Sequence, residues 1–196
     1  MKKTLFLTGS LLILVTVIIS CTEQQKPAAE VAKAKVTDTV ALVKQGEYLV
    51  GIMGCHDCHS PKRMGPNGPE LIPELLLSGY PGERPLVRGD LKSLPPGWAM
   101  LNEDLTSFIG PWGRSFAANL TSDPTGIGNF TEEQFRKALT QGKFMGVDNG
   151  RMLLPPMPWQ NFVNIKDEDL KAIFLYLKST RPVKNVVPGP IPPNEL

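Results

Sequence analysis

The sequence predicts an all-α domain of three main helices with a long irregular insertion, and three observations lead there. Helix-end signals bracket residues 39–53, 131–142 and 167–181. Between Ser60 and Ser115 stand nine of the 19 prolines and eight of the 18 glycines, a density that breaks regular helix and excludes a long-helix bundle. The run Cys55-His56-Asp57-Cys58-His59 falls where the first helix meets that insertion, and it holds two of the three cysteines and both histidines. With 196 residues, 41% of them apolar and 20% charged, the chain can bury one ordinary core and carry an appendage.

The appendage comes first. Lys2 and Lys3 precede an uncharged stretch from Thr4 to Ile19, which has the basic start and apolar middle of an export signal over residues 1–20. At 16 residues it is short of the ~20 needed to cross a bilayer as a helix, so a permanent membrane-spanning anchor is the weaker reading. Its end, Ile18-Ile19-Ser20-Cys21, resembles the lipobox of bacterial lipoproteins, in which the cysteine is lipidated and becomes the mature N-terminus; Ile19 stands where a small residue is usual. The competing reading is an ordinary signal peptide with an incidental cysteine. Residues 21–39 are rich in Ala, Lys, Glu, Gln and Thr with few large apolar groups, and are expected to form a flexible tether. Cleavage before Cys21 removes two of 21 basic residues and leaves 19 against 19 acidic ones, a balance without a nucleic-acid footprint.

The domain then spans 40–196, with 60–115 as its insertion. Its first helix, from about Thr39 to Met53, runs directly into Cys55. The second is bounded by a capping box of Thr131 and Gln134, a hydrophobic staple of Phe130 on Phe135, and a stop at Gly142. The third starts near Asp167, with Asp167, Glu168 and Asp169 suiting the positive helix start and Lys178 and Arg181 the negative end. Leu170, Ile173, Phe174 and Leu177 form an i, i+3, i+4, i+7 stripe whose natural partner is the first helix. Tyr48, Phe174 and Tyr176 are expected in the core.

C-x-x-C-H is the attachment spacing of c-type haem. Two thiols, Cys55 and Cys58, add to the two vinyl groups of one porphyrin, and the next histidine, His59, lies under the iron. A zinc site would need four ligands from one crowded loop, and a thioredoxin-like dithiol gives the histidine no role. His56, between the tethered cysteines, cannot reach the far face of the porphyrin, and no third histidine exists, so the sixth ligand is a methionine, an amine or an open position. Met100, Met145, Met152 and Met157 are the candidates. Met157 stands in Leu153-Leu154-Pro155-Pro156-Met157-Pro158-Trp159, where prolines on both sides impose a stiff extended loop that can hold a thioether against iron. Met152 is the runner-up. In the insertion, Trp112 and Arg114 are candidate donors to the porphyrin propionates, as part of a wrap over the cofactor edge; the alternative is an insertion that merely packs.

The order helix, C-x-x-C-H, helix, methionine loop and terminal helix resembles class I cytochrome c. The runs Phe116–Thr121, Asp123–Gly128, Thr131–Phe135, Leu154–Trp159 and Asp167–Leu170 resemble mono- and multihaem cytochrome c subunits that serve membrane-bound dehydrogenases. The resemblance covers about residues 40 to 190 and implies one covalent haem c on Cys55 and Cys58, with His59 proximal and Met157 distal. Two departures stand out. There is a single C-x-x-C-H, so no relay between haems inside the chain, and Lys166 occupies the usual Ser or Thr cap of the last helix.

The expected function is that of a lipid-anchored monohaem cytochrome on the periplasmic side of a bacterial membrane. It would carry one electron between a dehydrogenase or oxidase subunit and an acceptor, with no small-molecule substrate and no catalysis of its own. The alternative is a haem enzyme or sensor with an open sixth site, which the lack of a distal histidine disfavours. A zinc-binding structural module is the third class.

Overall fold

The computed structural model describes residues 28–87, 89 and 94–196, with side chains from residue 38 onward. The export segment and Cys21 lie outside the described residues. Among the described residues the α-helices are α1 (Ala28–Ile52), α2 (Cys55–His59), α3 (Glu132–Gln141) and α4 (Asp167–Ser179). The strands among them are short: β1 (Lys62–Gly65), β2 (Gly68–Leu71), β3 (Met100–Leu101), β4 (Ser107–Gly110) and β5 (Gly113–Phe116). They form an antiparallel pair β1-β2 and an antiparallel sheet of order β3-β4-β5.

The core lies where α1 and α4 cross. Val50 of α1 meets Leu170, Ile173, Phe174 and Leu177 of α4, so the whole predicted stripe is buried, and Leu77, Ile127 and Phe135 close the cluster. Each such side chain contributes about 1.5–3 kcal/mol by leaving water. Gly46 allows the close approach: a Cβ there would overlap the carbonyl of Ala172 and lie 2.7 Å from Cβ of Tyr176. Gln45 Nε2 adds a 2.6 Å hydrogen bond to Asp169 Oδ1. Tyr48, expected inside, is 65% exposed, because it stands two residues from Gly46 and Val50, on the opposite face of the same helix.

Helix α3 matches its signals. Thr131 Oγ1 accepts from the backbone N–H of Gln134, Gln134 Oε1 accepts in return from that of Thr131, and Gly142 ends the helix in the left-handed region. At α4 the cap position is Lys166, which makes no side-chain capping bond, and the three acidic residues of the first turn are left to satisfy the helix start. Lys178 stands in the last turn of α4 as expected, and its Nζ donates to the carbonyls of Gly128 and Ile127, pinning the preceding loop to α4.

Besides Tyr48, two expectations need correction. The domain is not all-α, since the insertion folds into both sheets. Its proline and glycine mark hairpins: register pairs Gly65 with Gly68 around Pro66-Asn67, and Gly110 with Gly113 around Pro111-Trp112. The first helix, moreover, starts at Ala28 rather than Thr39, so 28–39 is helix and not coil. Ala, Lys and Glu are strong helix formers, and their propensity decides a stretch that has no apolar face to bury.

The tail after α4 ties these layers together. Asn185 Nδ2 donates to the carbonyls of Ser78 and Tyr80, Asn119 Nδ2 to that of Val183, and Arg114 and Ile191 exchange backbone bonds of 2.7 and 3.0 Å. Asn119, Thr121, Asp123 and Thr125, all within the runs that carry the family resemblance, form one polar knot.

Candidate haem-attachment site

Gly54, in the left-handed region, ends α1, and Asp57 N bonds back to its carbonyl to start α2. That single turn puts Cys55 and Cys58 three residues apart on one face, with His59 four residues past Cys55. Both thiols are free and half-buried. Burial pushes the Cys55 thiol up to about 11 and raises that of Cys58 as well, so both stay protonated at neutral pH.

His59 is set by a distant segment. Its Nδ1 lies 2.8 Å from the carbonyl oxygen of Ala118, which can only accept, so the proton is on Nδ1 and Nε2 keeps its lone pair. Burial holds the imidazole below its ordinary pKa, in the neutral form that binds metal. The segment under it is fixed in turn: Gly79 N donates to the His59 carbonyl, Tyr80 N to that of Ala117, and Leu120 N to that of Leu77. His56 turns to Ser60, with Nδ1 and Oγ 2.9 Å apart, and the same Oγ accepts from Leu77 N.

Cys55, Cys58 and His59 therefore share one turn, whereas Met157 stands on a separate loop. That loop is anchored to α3 by Leu153 N on the Gly142 carbonyl, and to β5 by Ser115 Oγ on the Pro155 carbonyl at 2.6 Å. Ser115 and Ala118 are three residues apart, about 10 Å of extended chain, so a single short segment grips both the His59 ring and the methionine loop. Met157 is half-buried; Met152 is 41% exposed and pairs by its backbone with Lys143.

The donors proposed for propionates are engaged within the insertion. Trp112 Nε1 reaches Ser115 Oγ at 3.3 Å, and the buried Arg114 donates from Nε to Ser107 Oγ and from Nη1 to the Val87 carbonyl. Arg84 and Arg114 flank the Tyr80–Phe116 ring pair, each about 5 Å from a ring centre. Sequence reasoning missed Ala118, Gly79 and Lys62. The first acts through its backbone and leaves no side-chain signal.

Among known proteins, the chain is 31% identical over 137 residues to the gluconate 2-dehydrogenase cytochrome c subunit of Pantoea cypripedii, covering 69% of this chain and 22% of that one. The chain is a homologue of cytochrome c subunits of dehydrogenases. Two further homologues of this kind are similar at 29% identity. They are the alcohol dehydrogenase (quinone) cytochrome c subunit of Gluconobacter oxydans, over 73% of this chain and 22% of that one, and the fructose dehydrogenase cytochrome subunit of Gluconobacter japonicus, over 69% and 20%. The chain spans about a fifth of the length of these cytochrome c subunits. No protein-family model matches it.

The donor set fits haem c. Two protonated thiols in one turn suit addition across two vinyl groups, and a neutral imidazole whose Nδ1–H is held by a carbonyl presents Nε2 to iron. Among the described residues no cluster of three His, Cys, Asp or Glu side chains suits another metal.

Proposed function

We propose that this chain is a membrane-tethered monohaem cytochrome c that carries single electrons between a dehydrogenase and an acceptor. The observation that carries the reading is the free Cys55–Cys58 pair in one turn with the His59 ring held by Ala118. Haem c, when bound, supplies a one-electron iron couple. Cys55 and Cys58 would hold it through thioethers, each S–H adding across one vinyl double bond with no oxidant needed. His59 Nε2 would bind the iron, and Ala118, by accepting from Nδ1–H, keeps the ring from rotating and raises its basicity. Met157, on a loop stiffened by the flanking prolines and pinned by Ser115, would supply the second iron ligand. With both ligands in place no substrate would reach the iron, and the partner enzyme would perform the oxidation.

A single C-x-x-C-H supports one haem per chain. The relatives, which are subunits of dehydrogenases of gluconate, alcohol and fructose by name, support a dehydrogenase as the donor. The lipobox-like end of the leader supports a lipid anchor at Cys21 on the periplasmic side of a bacterial membrane; no described helix is long and apolar enough to cross one.

The test is the full chain made in a host that matures c-type cytochromes. A haem stain that survives denaturing electrophoresis and acid-acetone, at one haem per chain, is expected, and the Cys55→Ser, Cys58→Ser double variant should lose it. A stain removed by acid-acetone, or kept by that variant, overturns covalent attachment.

A further inference from the structure

Lys62 opens β1 three residues past His59, and its side chain turns back beneath α2. Nζ donates to the carbonyls of Asp57 at 2.6 Å, Ser60 at 3.1 Å, His56 at 3.4 Å and Asp104 at 3.1 Å. An ammonium has three protons, so four acceptors share them, and all four are neutral oxygens. Three of the acceptors come from the attachment turn and its end, where the His56 carbonyl also takes the N–H of Ser60. The fourth comes from the turn that precedes β4.

The carboxylate of Asp104 is committed elsewhere. It takes Arg84 Nη1 and Nη2 at 3.1 and 2.7 Å, Asn102 Nδ2 at 2.7 Å and Thr106 Oγ1 at 2.7 Å. Among the described residues no carboxylate forms an ion pair with Lys62. A half-buried cation held by carbonyl oxygens alone is oriented by them but not neutralised, and near a protein surface a charge is screened far less than in bulk water.

We propose that Lys62 is a positioning residue that clamps the Cys55–His59 turn to the sheet insertion and that its charge, unpaired with any carboxylate among the described residues and opposed only by the Asp57 charge on the turn itself, raises the redox potential of the centre held by that turn. The inference rests on the reading above that Cys55, Cys58 and His59 hold haem. Reduction adds one negative charge to the centre, so a fixed cation nearby favours the reduced form. Part of the insertion thereby has a defined task. It braces the proximal turn from behind through Lys62, the Asp104 carbonyl and the Arg84–Asp104 pair.

The experiment compares midpoint potentials of the loaded full chain with those of Lys62→Met, Lys62→Gln and Lys62→Arg. The two neutral variants should shift the reduction equilibrium toward the oxidised form on the order of tenfold, about 59 mV for a one-electron couple. Lys62→Arg, which keeps the cation and can still donate to carbonyls, should recover most of that shift. Neutral variants with full haem content and the wild-type potential overturn the proposal, as does an arginine variant displaced as far as the methionine one. Where Lys62→Met does not accumulate, Lys62→Gln, which keeps donors but no charge, gives the same reading. Loss of haem from both neutral variants with normal loading of Lys62→Arg supports the clamp, whereas failure of all three overturns the role of charge. A wild-type chain without covalent haem overturns the attachment reading itself, and is seen before any variant is measured.

Discussion

Gly79→Ala tests whether the backbone beneath Ala118 sets the His59 ring. Gly79 has φ of 75°, a region in which an L side chain costs about 1–2 kcal/mol. An added Cβ would also meet the carbonyl oxygen of Ala117, and would lie 2.5 Å from the carbonyl carbon and 2.6 Å from the oxygen of Ala118. All three are main-chain atoms, so no side chain can swing aside, and overpacking of this kind costs about 1–3 kcal/mol more. The expected loss is about 3 kcal/mol, which for a chain of this size lowers Tm by about 6–12 °C. The atom forced to move is the acceptor of His59 Nδ1–H, now 2.8 Å away, so the ring proton should exchange with deuterium oxide faster than in the wild type. Thermal unfolding followed by circular dichroism measures the first effect, and proton NMR of the His59 ring N–H the second. Gly189→Ala is the control: no atom lies within 4 Å of its Cβ, and the change should stay within about 0.5 kcal/mol. A Gly79→Ala chain that melts within a degree of the wild type, with unchanged exchange at His59, would show that the 77–80 segment does not hold the ring.

Three other outcomes are expected. Burial pushes the Asp104 carboxyl up, but the hydrogen bonds from Arg84 and Thr106 outweigh it and hold the group below the ordinary carboxylate range. Its stabilisation is therefore present above the unfolded value of ~3.9 and is lost as pH falls through the lower folded value. Asp104→Asn should cost about 2 kcal/mol at pH 7, less than a fully buried pair because Arg84 keeps 32% of its side chain exposed, and should flatten the acid limb of urea-measured stability; an unchanged acid limb would refute this. Met157→Ala should abolish the weak red-edge absorption of the oxidised protein, lower the potential and admit carbon monoxide to the reduced form. Met152→Ala, at an exposed position, should leave the spectrum intact and change stability by no more than about 0.5 kcal/mol; the reverse pattern would move the ligand to Met152. Cys21→Ala should block lipidation and with it normal cleavage of the leader, and mass spectrometry of an unmodified wild-type Cys21 would rule out the lipid anchor.

The elements legible in the sequence are those whose cause lies within a turn or two of chain. The capping box at Thr131 and Gln134, the stop at Gly142 and the stripe on α4 all appear where the residues put them, because caps and amphipathic periodicity act over three to seven positions. The hairpins of the insertion were hidden for a related reason. Strands of four residues carry too little alternation to separate from loop, although Pro66-Asn67-Gly68 is a turn signal that pairing could have used.

By itself the sequence determined which residues the proposed attachment would use: the thiol spacing and the histidine after it lie in five consecutive residues, and attachment of this kind is a matter of local geometry. It also argued against His56 as the opposing ligand in that reading. Only the tertiary structure decided how that chemistry is held. The acceptor for His59 is a backbone oxygen 59 residues away, Lys62 gathers carbonyls from both α2 and the turn before β4, and Ser115 pins the methionine loop from 40 residues off. Those partners are chosen by how α1 and α4 cross, by which strands pair and by where the C-terminal tail runs. Backbone acceptors are identical at every position of a sequence, so only the fold can say which of them a side chain finds.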